Sequence, residues 1–483
     1  MGKSKNSKII SEAEPLVASK NKSNGINAYI LVSLAFLQML VSSGIILGWQ
    51  SLANIIKDNG TYRFLCEDPS LPCVEEEVYL ANLMTISQSI QMFSVLFLSI
   101  MMDFIGPKFM AVCQFITALG TFMIAVGDPK GTVDYIWLGA ILQNLCGCIY
   151  IPSFIHLSNL FPKGRAVVAS TFSTLYGFSS LTFLAIQIIH SHFQTTLKAS
   201  LLPLALIQTF FVLFSLLLPN KIIHLGDTCG FSLKKYGFYS IQSTSNESNS
   251  ENHISIVDNH AKERNSSFIE SKIKPLLKSI FSKMFVVQFL LELLVVVSVN
   301  FYVSTLSLQI EELSGLSSIE ERKKLGYHWS TIFTTISPFG SIVGVLEGYL
   351  VDKYGLWKSS LVPIILLVLC ASFKLVPNVP FQLLTFIAYT TSQEAVFSSA
   401  YSLFTLAIPT DVICTFAGVN LLLQSFPVGY LPQYLISLFS QYGWTFREIN
   451  FMLISPTIIV GVIYVKFLYT LEKKSKAIMS ETH

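Results

Sequence analysis

Twelve apolar runs, each long enough to cross a bilayer, leave few architectures open to this chain. They fall near 28–52, 79–102, 109–127, 134–159, 166–190, 199–219, 284–308, 328–350, 359–376, 381–408, 412–438 and 449–470. A helix needs about 20 apolar residues to span the hydrocarbon core. Within that core every backbone N–H and C=O must be bonded inside the protein, so only helices and closed barrels qualify. Alternating, strand-like patterning is absent, so the expected fold class is an all-α membrane protein with 12 transmembrane helices. The charge content agrees: 13% of residues are charged, against about 25% in ordinary soluble chains.

Charge placement then orders the chain. Met1 to Asn27 holds five lysines, and Ala28 opens 29 uncharged residues reaching Ile56. This reads as a cytoplasmic tail before a retained first span, because a cleaved signal has an apolar region of only about 7 to 15 residues. With both termini cytoplasmic, the inner segments hold 23 of the 32 lysines and arginines, the bias that sets orientation. The expected layout is a tail at 1–27, a six-helix half at 28–220, a largely disordered cytoplasmic linker at 221–283, a second six-helix half at 284–470 and a tail at 471–483. The linker reading rests on its polar, serine-rich centre, Ser240 to Ser250, which is too polar to bury a core. The outer loop from Lys57 to Val78 carries the sequon Asn59-Gly60-Thr61, and Cys66 and Cys73 are candidates for a disulfide there. No cysteine spacing matches a metal site.

A short acidic turn, Met102-Asp103-Phe104-Ile105-Gly106-Pro107-Lys108, separates the second and third runs. It returns as Gly348-Tyr349-Leu350-Val351-Asp352-Lys353-Tyr354-Gly355-Leu356-Trp357-Lys358, with Asp103 and Asp352 spaced 249 residues apart in a chain of 483. Pro162 and Pro409, after the fourth and tenth runs, keep nearly the same interval of 247. The spacing indicates a duplicated half.

These turns resemble the signature of the major facilitator superfamily, commonly Gly-x-x-x-Asp-Arg-x-Gly-Arg-Arg, after spans two and eight. The first copy has Ser99, Phe104 and Pro107 where the pattern has Gly, Arg and Arg; the second keeps Gly348, Asp352 and Gly355. A narrower resemblance lies in Gly44-Ile-Ile-Leu-Gly48-Trp49-Gln50-Ser51-Leu52, Asn59-Gly60, Cys66, Cys73, Leu80-Ala81-Asn82 and Asp103-Phe104-Ile105-Gly106-Pro107. It is similar to the apicomplexan amino acid transporters and the system L facilitators, and covers roughly the first quarter of the chain in detail. The resemblance implies the major facilitator fold, a small-molecule substrate (an amino acid), and movement across a plasma membrane by alternating access.

An ionisable group at bilayer depth costs at least about 2.5 to 3.5 kcal/mol on insertion scales, so each one calls for a role. Glu394, near the middle of the tenth run beside Tyr389 and Gln393, either meets a substrate ammonium, exchanges a proton, or is a neutral acid bonded between helices. In the seventh run Asn300 and Tyr302 lie nearer the middle than Glu292 and are preferred for substrate contact; in the fourth, Gln143 and Asn144 are uncharged groups suited to a polar ligand. No Lys or Arg interrupts the twelve cores, which disfavours strongly anionic cargo. Gly44 and Gly48 in the first span mean either close helix packing or a helix that loosens at Ser43-Gly44, where backbone N–H groups would meet a zwitterion's carboxylate. Asp103 and Asp352 are read as gate elements capping neighbouring helix N-termini, with Gly106, Arg165, Glu347 and Gly355 in the same gates. No cofactor, nucleic-acid partner or metal is expected, and no nucleophile with a base or phosphate loop suggests an enzyme. Two other readings remain open: a carrier of neutral solutes such as sugars or nucleosides, and a nutrient sensor that signals without flux.

Overall fold

A computed structural model describes residues 26–43, 48–66, 74–131, 133–219, 222–224, 228–231, 239–242 and 274–481. The first half runs through α1 (Ile26–Ser42), α2 (Trp49–Asp58), α3 (Val74–Ile105), α4 (Met110–Val126), α5 (Tyr135–Leu145), α6 (Tyr150–Ile155), α7 (Arg165–Phe178), α8 (Ser180–Phe193) and α9 (Leu197–Leu216). Strands β1 (Thr228–Phe231) and β2 (Tyr239–Gln242) pair antiparallel with Phe231 opposite Tyr239, inside the segment expected to be a largely disordered linker. After α10 (Lys274–Ile280) come α11 (Lys283–Ser314), α12 (Ile319–Gly340), α13 (Ile342–Tyr354), α14 (Leu356–Ser359), α15 (Leu361–Lys374), α16 (Gln382–Ala407), α17 (Ile413–Tyr442) and α18 (Phe446–Glu481).

Each of the twelve expected spans coincides with one helix or a run of helices. Nine stretches among the described residues are long and apolar enough to cross a membrane by length and composition alone. The other three are the first, the tenth and the eleventh. The helix of the first has 17 residues before a gap in the described chain, the tenth is dense in Ser, Thr and Tyr, and side chains in the latter part of the eleventh lie outside the described residues.

The first half is held by a buried amide and hydroxyl network. Gln38 Nε2 donates to Gln114 Oε1 at 2.8 Å and to Ser215 Oγ at 2.9 Å. Tyr150 Oη reaches Gln114 Oε1 at 2.7 Å, and Thr121 Oγ1 donates to Gln208 Oε1 at 2.6 Å. Polar groups inside an apolar bundle must find such partners, since each one left unmet costs about 1–3 kcal/mol, and the result ties α1, α4, α6 and α9 together. The second half packs instead around an apolar and aromatic cluster that includes Val295, Tyr302, Phe333, Phe386 and Tyr389.

Candidate functional site

The two halves meet along a seam in which α17 lies against α3, and α13 and α16 lie against α7. Small residues set the approach. A Cβ on Gly348 would stand 2.6 Å from Ser170 Oγ and 2.8 Å from the Ala166 carbonyl, and one on Gly418 would stand 2.8 Å from Ser99 Oγ. Ser170 and Ser402 hydroxyls are 3.0 Å apart across the seam. Beside them the rings of Phe285, Phe404 and Phe416 pack with centroids 5.0 Å apart in each pair made with Phe416. The protein is thus closed on the face that carries the acidic turns.

Both turns contribute to that closure in the same way. Asp103, at the end of α3, accepts from Thr415 N–H at 2.7 Å and Thr415 Oγ1 at 2.6 Å, at the start of α17. Asp352, at the end of α13, accepts from Ala166 N–H at 3.2 Å and Val167 N–H at 3.0 Å, at the start of α7. Each carboxylate therefore sits on the positive N-terminus of a helix in the other half. Three residues after each aspartate the chain turns through a glycine with positive φ, Gly106 at 88° and Gly355 at 86°, where a side chain would be strained. Arg165, the first residue of α7, is half-buried beside the amides that Asp352 caps. Glu347 is 1% exposed and lies against Ser359, within the second half.

Farther along the seam, groups from both halves converge. Gly147 lets the chain come close, since a Cβ there would stand 2.7 Å from the Ser43 carbonyl and would collide with the Gln91 amide. Cys148 Sγ and Tyr176 Oη are 3.5 Å apart. The next residue, Gly177, faces the second half: the Glu394 carboxylate lies 3.0 Å from where its Cβ would be, with Ser341 alongside. Gln393 is half-buried next to it. Ser43 is buried with its hydroxyl on the Met39 carbonyl at 2.7 Å; Gly44 lies outside the described residues.

Inside the second half lies a buried polar group that the sequence reading ranked low. Glu292 on α11 is 1% exposed and accepts from Gln288 Nε2 at 2.7 Å, Asn420 Nδ2 at 2.6 Å and Gln424 Nε2 at 2.7 Å. Its neighbour Leu293 and Met92 of α3 each pack against an apolar cluster of the second half that includes Val296 and Phe301. The available signal was the one-turn spacing of Gln288 with Glu292 and of Asn420 with Gln424, each pair sharing a helix face.

Other candidates point elsewhere. Gln143 Nε2 donates to Thr121 Oγ1 at 2.9 Å and joins the network of the first half, and Asn144 Nδ2 bonds the Ala140 carbonyl one turn back at 2.9 Å. The rings of Tyr302 and Tyr389 pack at a tilt of 37°, 5.1 Å between centroids, within the apolar cluster of the second half. The side chain of Asn300 lies outside the described residues. Cys66 is disulfide-bonded, while Cys73 lies outside the described residues. One expectation needs correction: Lys374, at the end of the ninth run, is 7% exposed, with Nζ 4.3 Å from the Tyr302 ring and 5.0 Å from the Tyr389 ring. Its long stem lets the ammonium turn inward onto aromatic faces, so a buried cation exists that end-of-span position concealed.

A bundle of two six-helix halves that meet along a polar seam defines a multi-pass membrane transporter. Residues 31–432 match the model of the Major Facilitator Superfamily, and the chain belongs to that family. Its curated relatives include Protein FMP42 of Saccharomyces cerevisiae, 25% identical over 183 residues, 36% of this chain and 35% of that one. Arginine transporter 1 of Toxoplasma gondii is 21% identical over 187 residues, 36% of this chain and 34% of that one. The human large neutral amino acids transporter small subunit 3 is 26% identical over 171 residues, 32% of this chain and 31% of that one. The chain thus aligns with about a third of the length of these relatives. Among solved structures, the E. coli fucose:proton symporter superposes with a TM-score of 0.61 at 14% identity, covering 92% of this chain and 99% of that one. The human organic anion transporter MFSD10 gives 0.60 at 12% identity, covering 91% and 99%. These likenesses are of fold.

Proposed function

We propose that this protein carries amino acids, cationic or neutral, by alternating access through the seam between its halves. The observation that carries the reading is the acidic side chain that the second half brings to the seam, Glu394, with a second buried carboxylate, Glu292, inside that half. Glu394 faces Gly177 of the first half, and Glu292 is held by three neutral amide donors. Three amides orient a carboxylate and strengthen it as an acceptor without cancelling its charge. A substrate ammonium supplies a positive partner to Glu394. The Toxoplasma and human relatives, named for arginine and for large neutral amino acids, support an amino acid over other solutes. The acidic turns are the latch in this scheme, holding the face closed until one half rocks against the other. The charge bias along the chain supports both termini in the cytoplasm, and the resemblance to amino acid transporters supports a plasma membrane.

The test is uptake by the purified full-length protein in liposomes, with a radiolabelled amino acid panel competed by sugars and nucleosides. Saturable amino acid uptake is expected, with Glu394→Gln reducing cationic substrates at least about tenfold more than neutral ones, because a charged partner contributes about 1.5–3 kcal/mol. Saturable uptake of sugars or nucleosides alone, or binding without flux, would refute the proposal.

A further inference from the structure

We propose a second ligand site, inside the C-terminal half and away from the seam, in which Lys374 receives a single anionic group. Helix α16 separates the two places. It turns Glu394 toward Gly177 of the other half, whereas Tyr389 and Ser392 of the same helix line a cavity with Val295 and Val299 of α11, Leu367 and Lys374 of α15, and Thr457 of α18.

Lys374 is 7% exposed, and among the described residues no carboxylate pairs with it. The rings of Tyr302 and Tyr389, 4.3 and 5.0 Å from Nζ, stabilise the ammonium through their faces. Such contacts offset only part of the cost of burying a charge, and a counter-ion completes the compensation. The cavity holds a second unmet group. Tyr389 is 3% exposed, and its Oη has no hydrogen-bond partner among the described residues. Lys374 and a tyrosine with an unused hydroxyl therefore line one space whose remaining walls are largely aliphatic, a combination suited to an anion and unsuited to a second cation.

Size and access narrow the ligand. The cavity, about 20 Å³, has room for one or two water-sized atoms, which admits one or two oxygens of an anionic group whose remainder stays outside and excludes a whole amino acid. Its walls Leu367 and Ile454 are half-buried, and the same stretches of α15 and α18 continue into the exposed Val368, Leu369, Phe451 and Met452. The cavity thus adjoins the apolar outer surface of the bundle. Two sources offer the required oxyanion: the head group of an anionic lipid approaching between α15 and α18, or a small free anion.

The experiment measures the melting temperature of the full-length protein in neutral detergent during two titrations. One adds phosphatidylglycerol, with phosphatidylcholine as control, and the other adds inorganic phosphate. The expected result is a saturable rise with at least one probe; phosphatidylglycerol alone identifies a lipid, and phosphate identifies a soluble anion. Lys374→Met, which keeps an apolar stem, weakens the apparent affinity at least about tenfold, and Tyr389→Phe, which removes only the hydroxyl, weakens it about two- to tenfold. Should Lys374→Met fail to fold, Tyr389→Phe carries the test alone. No saturable rise with either probe, or affinities unchanged in the folded variants, overturns the proposal.

Discussion

Replacing Asp103 by Asn tests whether the acidic turns hold their face of the protein shut. The Asp103 carboxylate is 6% exposed and takes two donors from Thr415, at 2.7 and 2.6 Å. Asn keeps an acceptor oxygen and loses the charge, whose interaction with a partly buried helix N-terminus is worth up to about 2 kcal/mol. A loss of about 1–2 kcal/mol raises the ratio of open to closed molecules about 5- to 30-fold. The chain contains its own reporter. Cys414 is 2% exposed, and its thiol donates across the seam to the Pro152 carbonyl at 3.2 Å, so it reacts with an alkylating reagent only when the seam parts. Where opening and reclosing outpace the reaction, the rate tracks the open population. Alkylation of Cys414, assigned by peptide mass spectrometry, is therefore expected to accelerate about 5- to 30-fold. Buried Cys370, which lies within the second half, serves as the unchanged control. Local fraying of α17 would mimic the effect, and Asp352→Asn separates the two because Asp352 bonds α7 instead. It should accelerate Cys414 as well, and the double variant should combine the effects to within about 0.5 kcal/mol, as independent sites do. An unchanged Cys414 rate in Asp352→Asn would refute the latch, whatever Asp103→Asn does.

Gly348→Ala places a methyl group 2.8 Å from the Ala166 carbonyl; backbone cannot rotate away, overpacking costs about 1–3 kcal/mol, and the same Cys414 assay should show faster alkylation. Gly355→Ala forces a side chain into the left-handed region at φ 86°, a strain of about 1–2 kcal/mol, visible as a lower melting temperature than that of Gly164→Ala, where nothing lies within 4 Å of the new methyl. Glu394→Gln, expressed at normal surface level, should alter uptake rate, affinity or pH dependence; no change in any of them would remove Glu394 from the substrate site. Tyr62, outside the spans, and Tyr79 both donate to Asp134 Oδ2, at 2.8 and 3.1 Å. Burial, with the Asp134 carboxylate second, raises the Tyr62 phenol. A folded value above the ordinary phenol value of about 10 means that this stabilisation is complete below pH 10 and is lost as pH rises above about 10. Melting temperature should fall over that range and fall less in Asp134→Asn, and equal slopes would refute the assignment.

What the sequence disclosed and what it hid follow from the range of the interactions. The acidic turns were legible because a turn is local: Asp, a positive-φ glycine and the following helix start lie within a few residues, and duplication printed the pattern twice. Even their caps followed from the general attraction of a carboxylate to a helix N-terminus, although the partner helices could not be named. Glu292 was not legible as a hub because two of its three donors are 128 and 132 residues away, and only packing decides that α17 presents Asn420 and Gln424 to α11. Gln143 and Tyr389 show the converse. Position along a span sets an expected depth, but depth does not say which way a side chain turns, and both turned into the interior of a single half. Lys374 combines the two difficulties: at the end of an apolar run a lysine ordinarily reaches for water, and only the placement of Tyr302 and Tyr389, 72 residues before it and 15 after it, offers an aromatic alternative. Polar residues in this bundle therefore divide by rotation about their helices. Glu394 faces the other half across Gly177, while Gln143, Glu292 and Tyr389 are bonded or packed within one half, where a change acts first on stability.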